Sequence, residues 1–127
     1  MSARVHRVKS LQAPVHTAVA IVGGGACGLT AALTLSQMGV DCVVIERDAM
    51  PTGSTALSSG FIPAACTLQQ KSLGIEDSAQ TFAQDIQAKA KGKASAVLVK
   101  AYTEAIGPAL DALSQQHAIP WQVLDTF

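Results

Sequence analysis

Aromatic side chains are scarce in this 127-residue chain, at 4% of positions. That shortage argues against a sandwich packed on rings and suits thin layers of Ala, Val, Leu and Ile. Excess charge is absent as well, because nine basic residues are matched by nine acidic ones. A chain of zero formal net charge offers no electrostatic reason to bind nucleic acid or an anionic membrane. Cysteine is sparse too. Cys27, Cys42 and Cys66 form neither a C-x-x-C pair nor a zinc spacing. Their odd number, with no signal peptide legible, sets the expectation of a reducing cytoplasm. No nucleophile–base pair, carboxylate cluster or metal-ligand cluster stands out, so no catalytic residue and no metal site is assigned.

What the chain does have is the stretch Val19–Glu46, VAIVGGGACGLTAALTLSQMGVDCVVIE. An apolar run breaks at three glycines, an Ala/Leu-rich segment follows, and a second β-branched run ends in Glu46. The order predicts a strand over 17–22, a helix over 26–38 and a strand over 41–45. The two strands must run parallel, because a helix separates them. Each glycine of Gly23-x-Gly25-x-x-Gly28 has a task in such a unit. Gly23 permits a tight turn, Gly25 lets backbone approach a pyrophosphate, and Gly28 lets helix and strand pack closely. The helix N-terminus turns free N–H groups toward that anion. Glu46 falls where a carboxylate can accept the hydroxyls of an adenosine ribose. Ala18–Val40 is apolar enough to raise a membrane span instead, but three glycines would cost a helix about 1 kcal/mol each relative to Ala. No membrane span is expected. Cys27 falls at the helix start as a small packing residue, although a dipole there can lower a thiol pKa. Leu29, Ala32, Leu33 and Leu35 are spaced to face the sheet, and Gly39 suits the residue that ends the helix.

Before this unit, residues 1–16 read as a flexible N-terminal arm. After it comes a small-residue loop, Pro51–Gly60, rich in hydroxyls and unhindered backbone and anchored by Phe61-Ile62. It reads as a ligand-lining loop. From Thr67 the pattern is helical. Gly74 stops a short helix, Asp77 or Ser78 caps the next, and Phe82, Ile86 and Ala90 mark its buried face. Ser95 caps a further helix with an apolar stripe of Leu98, Ala101, Tyr102, Ala105 and Ile106. Pro108 removes an N–H, so a kink or a fresh helix start is expected there.

The order VAIVGGGACG, VVIERD, GSTALSSGFIPAA resembles the FAD-binding start of the fumarate reductase/succinate dehydrogenase flavoprotein superfamily, which includes ketosteroid dehydrogenases. Members carry Gly-Gly-Asn-(Ser/Thr) where this chain has Thr52-Gly53-Ser54-Thr55, and Gly-Gly where it has Gly60-Phe61. The resemblance implies an α/β fold, a Rossmann-like FAD-binding βαβ unit followed by helices, with FAD as cofactor. It implies that Gly23, Gly25, Ala26, Gly28, Glu46 and Arg47 serve the ADP half of FAD. Ser54, Thr55, Ser59 and Gly60 would serve the pyrophosphate–flavin side. The implied reaction is hydride transfer between flavin N5 and a C=C/CH–CH substrate of the fumarate/succinate or ketosteroid type.

Superfamily members complete the FAD site later in the chain and carry the proton donor in a capping domain. Residues 17–127 are therefore expected to be the N-terminal part of an FAD-binding domain, incomplete and inactive alone. The small-molecule substrate would bind only with the missing domains. Two alternatives stay open: an NAD-binding Rossmann module, and a non-catalytic truncated remnant that pairs with another subunit through its exposed sheet edge; the unpaired edge also makes self-association an expected partner mode.

Overall fold

The computed structural model describes residues 13–50 and 52–124, so most of the expected N-terminal arm and the first residue of the small-residue loop lie outside the described residues. The chain divides into two compact units, Met1–Phe61 and Ile62–Phe127.

The first unit is the βαβ element. Strand β1 (Val19–Val22) leads into helix α1 (Ala26–Gln37), and strand β2 (Cys42–Ile45) returns parallel to β1. The register pairs Val19 with Cys42 and Val22 with Ile45. Alternation then sorts the side chains. Val19 and Ile21 are half-buried beneath α1, while Val22 points away and is 86% exposed. Helix α1 ends in a Schellman motif, in which Gly39 N–H donates to the Ser36 carbonyl and Val40 N–H to that of Leu35. Gly39 takes the positive φ, 71°, that this cap requires.

The inward face of α1 differs from expectation at Leu29, which is 53% exposed. Gly28 is the point of closest approach to β1, so the inward row runs through Gly28, Ala32 and Leu35 at helical spacing. Leu29 lies one residue round from that row. The small-residue loop also differs. Ser54–Leu57 forms a one-turn helix, α2, with Gly53 as its N-cap.

The second unit contains helices α3 (Leu68–Ser72), α4 (Ala79–Lys89) and α5 (Ala96–His117). Thr67 caps α3 in a reciprocal capping box with Gln70. Ser78 caps α4, its hydroxyl accepting from Thr81 N–H. Ser95 precedes α5 without a side-chain cap bond. Phe82, Ile86 and Ala90 are half-buried as expected, and the Phe82 and Tyr102 rings meet at 5.9 Å between centroids.

Two expectations for α5 are corrected. Its buried row is Val99, Thr103, Gly107 and Leu110, one position on from the stripe the apolar residues mark, and Leu98 is 70% exposed. Gly107 decides that rotation. A methyl group at Gly107 would collide with the Ala65 carbonyl oxygen, and Ala65 is 1% exposed. The helix turns its one side chain-free position to the segment that comes closest. Nor does the helix restart at Pro108; it runs unbroken from Ala96 to His117. The residue before a proline is normally pushed out of the helical region, partly through its Cβ. Here that residue is Gly107, which has none.

The segment joining Pro63 to Leu68 is held by side chains from α3 and α5. Tyr102 Oη donates to the Pro63 carbonyl at 2.7 Å, and Leu68 N–H donates to Asp111 Oδ1 at 2.9 Å. Trp121 Nε1 donates to the Leu110 carbonyl at 3.1 Å and ties the extended C-terminal segment back to α5. Among the described residues, full burial is confined to this second unit: Ala65, Thr67, Val99, Thr103, Gly107 and Leu110.

Candidate functional site

The three glycines after β1 divide the work in a way the structure makes explicit. Gly23 has φ of 103°, a conformation L side chains rarely adopt, and its N–H donates to the Ile45 carbonyl at 2.8 Å. A Cβ at Gly28 would collide with the Gly23 carbonyl oxygen and lie 3.2 Å from Ile21 Cγ2. Turn and packing thus require glycine at both positions. Gly25 is different. Its φ of −78° and ψ of −177° are open to any residue. A Cβ there would meet nothing closer than Thr55 Oγ1, at 3.5 Å. Among the described residues nothing demands glycine at this position, which leaves a cradle directly over the start of α1.

Donors line that cradle. The first turn of a helix offers N–H groups without intrahelical partners. Gly24 N–H donates to Glu46 Oε2 at 2.7 Å, and Ala26 N–H donates to Thr55 Oγ1 at 3.1 Å. Among the described residues, the N–H groups of Gly25, Cys27 and Gly28 have no acceptor. No acidic side chain occupies the first turn. Free N–H groups, the positive end of the dipole and missing side-chain bulk together suit a phosphate or diphosphate.

Glu46 stands at the end of β2 as expected, with both oxygens engaged. Oε2 takes Gly24 N–H, and Oε1 takes Asp48 N–H at 3.0 Å. These bonds, that from Asp48 foremost, hold its carboxyl below the usual range. An ionised carboxylate has about four acceptor positions, so two remain for ribose hydroxyls.

The other expected site residues separate. Thr55 is brought to the glycine turn from α2. Arg47 is not; its guanidinium makes a two-point contact with Asp48, Nε to Oδ1 and Nη2 to Oδ2, both at 3.2 Å. Arg47, with help from the Thr52 hydroxyl, holds Asp48 below its ordinary pKa, and Asp48 raises that of Arg47. Ser54 opens α2, while Ser59 and Gly60 follow it in left-handed conformations, with φ of 57° and 78°. Among the described residues, no hydrogen bond joins these three to the glycine turn.

Gly24 and Asp48 were not singled out from the sequence. The middle glycine of a three-glycine run was a visible signal, since a Cβ at Gly24 would sit 3.1 Å from Glu46 Oε2. Asp48 carried none beyond its nearness to Glu46.

The protein-family model described as FAD binding domain matches residues 18–125. Among curated proteins, the chain is 31% identical over 109 residues to urocanate reductase of Eggerthella lenta, an overlap covering 86% of this chain and 18% of the relative. It is 29% identical over 109 residues to 4-oxocyclohexanecarboxylate 2-dehydrogenase of Sinomonas cyclohexanicum, covering 86% and 19%. It is 29% identical over 104 residues to fumarate reductase of Schizosaccharomyces pombe, covering 82% and 20%. The chain thus spans about a fifth of the length of these relatives.

Proposed function

Since this chain belongs to the FAD binding domain family and its cofactor is FAD, we propose that it is the nucleotide-holding part of an FAD-dependent oxidoreductase. The observation that carries the reading is the cradle at Gly25, open to any side chain by its backbone and, among the described residues, kept clear above three N–H groups that have no acceptor. Gly23, Gly25, Ala26 and Gly28 shape the turn that takes the diphosphate. Glu46 orients the adenosine ribose through its two remaining acceptor positions. Arg47 lies on the same β2 turn, where its pairing with Asp48 keeps the charge beside Glu46 neutral overall. Ser54, Thr55, Ser59 and Gly60 line the path from the diphosphate toward the flavin.

Bound flavin supplies two-electron chemistry, and the substrate we assign is a C=C/CH–CH pair of the fumarate/succinate or ketosteroid type. The names of the relatives support that class, since fumarate and urocanate both carry a carbon–carbon double bond conjugated to a carboxylate. A family matched on FAD weighs against the nicotinamide alternative. The proton donor and the substrate pocket are assigned to parts that the relatives have and this chain does not span, since it covers about a fifth of their length. Among the described residues, β1 and β2 each keep one unpaired edge. Such edges also favour self-association of the chain alone. Among the described residues, no helix is long and apolar enough to cross a membrane. The three cysteines are free thiols, which supports a reducing, cytoplasmic setting.

The test is calorimetric titration of the 127-residue chain with FAD, FMN and NAD. Binding of FAD with little or no response to FMN is expected. A chain that ignores FAD and binds NAD tightly overturns the reading.

A further inference from the structure

Two neighbouring residues at the end of β2 offer a nucleotide opposite signals. A carboxylate at this point of a βαβ unit selects free ribose hydroxyls, whereas an arginine nearby accommodates a phosphate on the 2′-hydroxyl. Glu46-Arg47 carries both, and the side chain of Asp48 decides between them. Its carboxylate takes Arg47 Nε on Oδ1 and Nη2 on Oδ2, both at 3.2 Å. That is the fork through which a guanidinium grips a carboxylate or a phosphate. Separate contacts anchor Asp48 itself. The Thr52 hydroxyl donates to Oδ2 at 2.9 Å, and Asp48 N–H donates to Glu46 Oε1 at 3.0 Å. Asp48 is thus fixed to its turn on both sides, and Arg47 leaves it only by giving up both bonds.

Resting on the reading of Glu46 as the ribose acid, we propose that Asp48 is a positioning residue that sets the site's choice of nucleotide. By holding Arg47, it withholds the neighbouring cation from a 2′-phosphate. Adenosine nucleotides with a free 2′-hydroxyl, FAD and ADP among them, are accepted. Those phosphorylated there, the NADP class, are refused. Glu46 alone repels such a phosphate, but a free Arg47 at the next position would offset that repulsion. Asp48 removes the offset, and its own negative charge stands beside any N–H of Arg47 that a phosphate could still reach.

The size of the effect follows from exposure. The Arg47 side chain is 90% exposed and that of Asp48 36%. An exposed ion pair holds by a small margin. Releasing Arg47 therefore shifts the choice severalfold and does not reverse it.

The experiment titrates ADP-ribose and 2′-phospho-ADP-ribose, which differ only in that phosphate. The chains are wild type, Asp48→Asn, Asp48→Ala and the double variant Asp48→Asn/Arg47→Ala. The ratio of the two affinities is the readout, and wild type is expected to favour ADP-ribose. Asp48→Asn and Asp48→Ala should each narrow that preference by about fivefold, the upper end for an exposed charge pair. The double variant should return to the wild-type ratio, because the released cation is gone and the turn regains its original net charge. A merely structural Asp48 would lower both affinities together. An unchanged ratio in both Asp48 variants, or a wild type without preference, overturns the proposal and leaves the FAD reading standing. A wild type that binds neither nucleotide nor FAD overturns both.

Discussion

The Glu46 carboxylate accepts Gly24 N–H at 2.7 Å, joining the end of β2 to the middle of the glycine turn across 22 residues of sequence. With its other oxygen on Asp48 N–H, this one side chain bridges two backbone turns. The acid expected to meet a ribose therefore also braces the loop that meets the diphosphate.

Replacing Glu46 with Gln tests that double task. An amide keeps one acceptor oxygen and presents an NH2 group to the other partner, so one of the two backbone bonds is lost. FAD affinity should fall by about tenfold or more, in line with a bond to a charged group. The amide of Gly24 or Asp48 should lose protection from hydrogen exchange while the circular dichroism of the helices is unchanged. Unaltered exchange at both amides would show that the carboxylate braces nothing.

The same bonds predict a pH dependence. Glu46 has its pKa lowered in the fold by backbone N–H donors. A depressed carboxylate adds stability that is fully present above its unfolded value, about 4.3, and lost as pH falls through the lower folded value. The Gly24 and Asp48 amide resonances should hold steady at neutral pH and move together only as pH falls below the usual glutamate range. Movement centred above the usual glutamate value would contradict the assignment.

Gly25 and Gly28 should behave oppositely when a methyl is added. Gly28→Ala forces a collision with the Gly23 carbonyl and should destabilise the βαβ unit by about 1–3 kcal/mol, the usual range for overpacking. Gly25→Ala meets only ordinary contact within the protein, so its denaturation midpoint should match that of wild type. Its ADP affinity should drop at least tenfold, because the methyl fills the cradle. Chemical denaturation beside ADP titration separates the two effects.

Gly107→Ala probes the second unit. Alanine favours helix by about 1 kcal/mol over glycine, yet here its methyl strikes the Ala65 carbonyl, a backbone atom with little freedom to retreat. A net loss of about 1–3 kcal/mol is expected by urea unfolding. A stabilised variant would mean that the Ala65 segment does not rest on α5 in solution.

Much of the βαβ unit was legible because its signals are local. Strand, glycine turn, helix and strand lie within 28 consecutive residues, and their apolar periods differ enough to separate helix from strand. The helical second unit was legible in its elements and misread in its faces. Leu98 and Tyr102 outweigh Val99 and Thr103 in apolar bulk, yet the buried row follows Thr103 and Gly107. Hydrophobic periodicity finds an amphipathic helix but cannot see a backbone approaching the one residue without a side chain.

By itself the sequence determined the chemistry on offer: a parallel βαβ turn, an acid at the end of its second strand and a run of hydroxyls beyond it. Each follows from backbone preferences within a few residues. Tertiary structure alone decided which of those groups meet. It placed Thr55 on Ala26 N–H, gave Gly24 to Glu46, and left Arg47 with Asp48. Such pairings depend on the path of the chain between Glu46 and Thr55, where one turn of helix replaced an expected loop. A hydrogen bond is satisfied or missed within about half an ångström, and no spacing in sequence resolves a distance that fine.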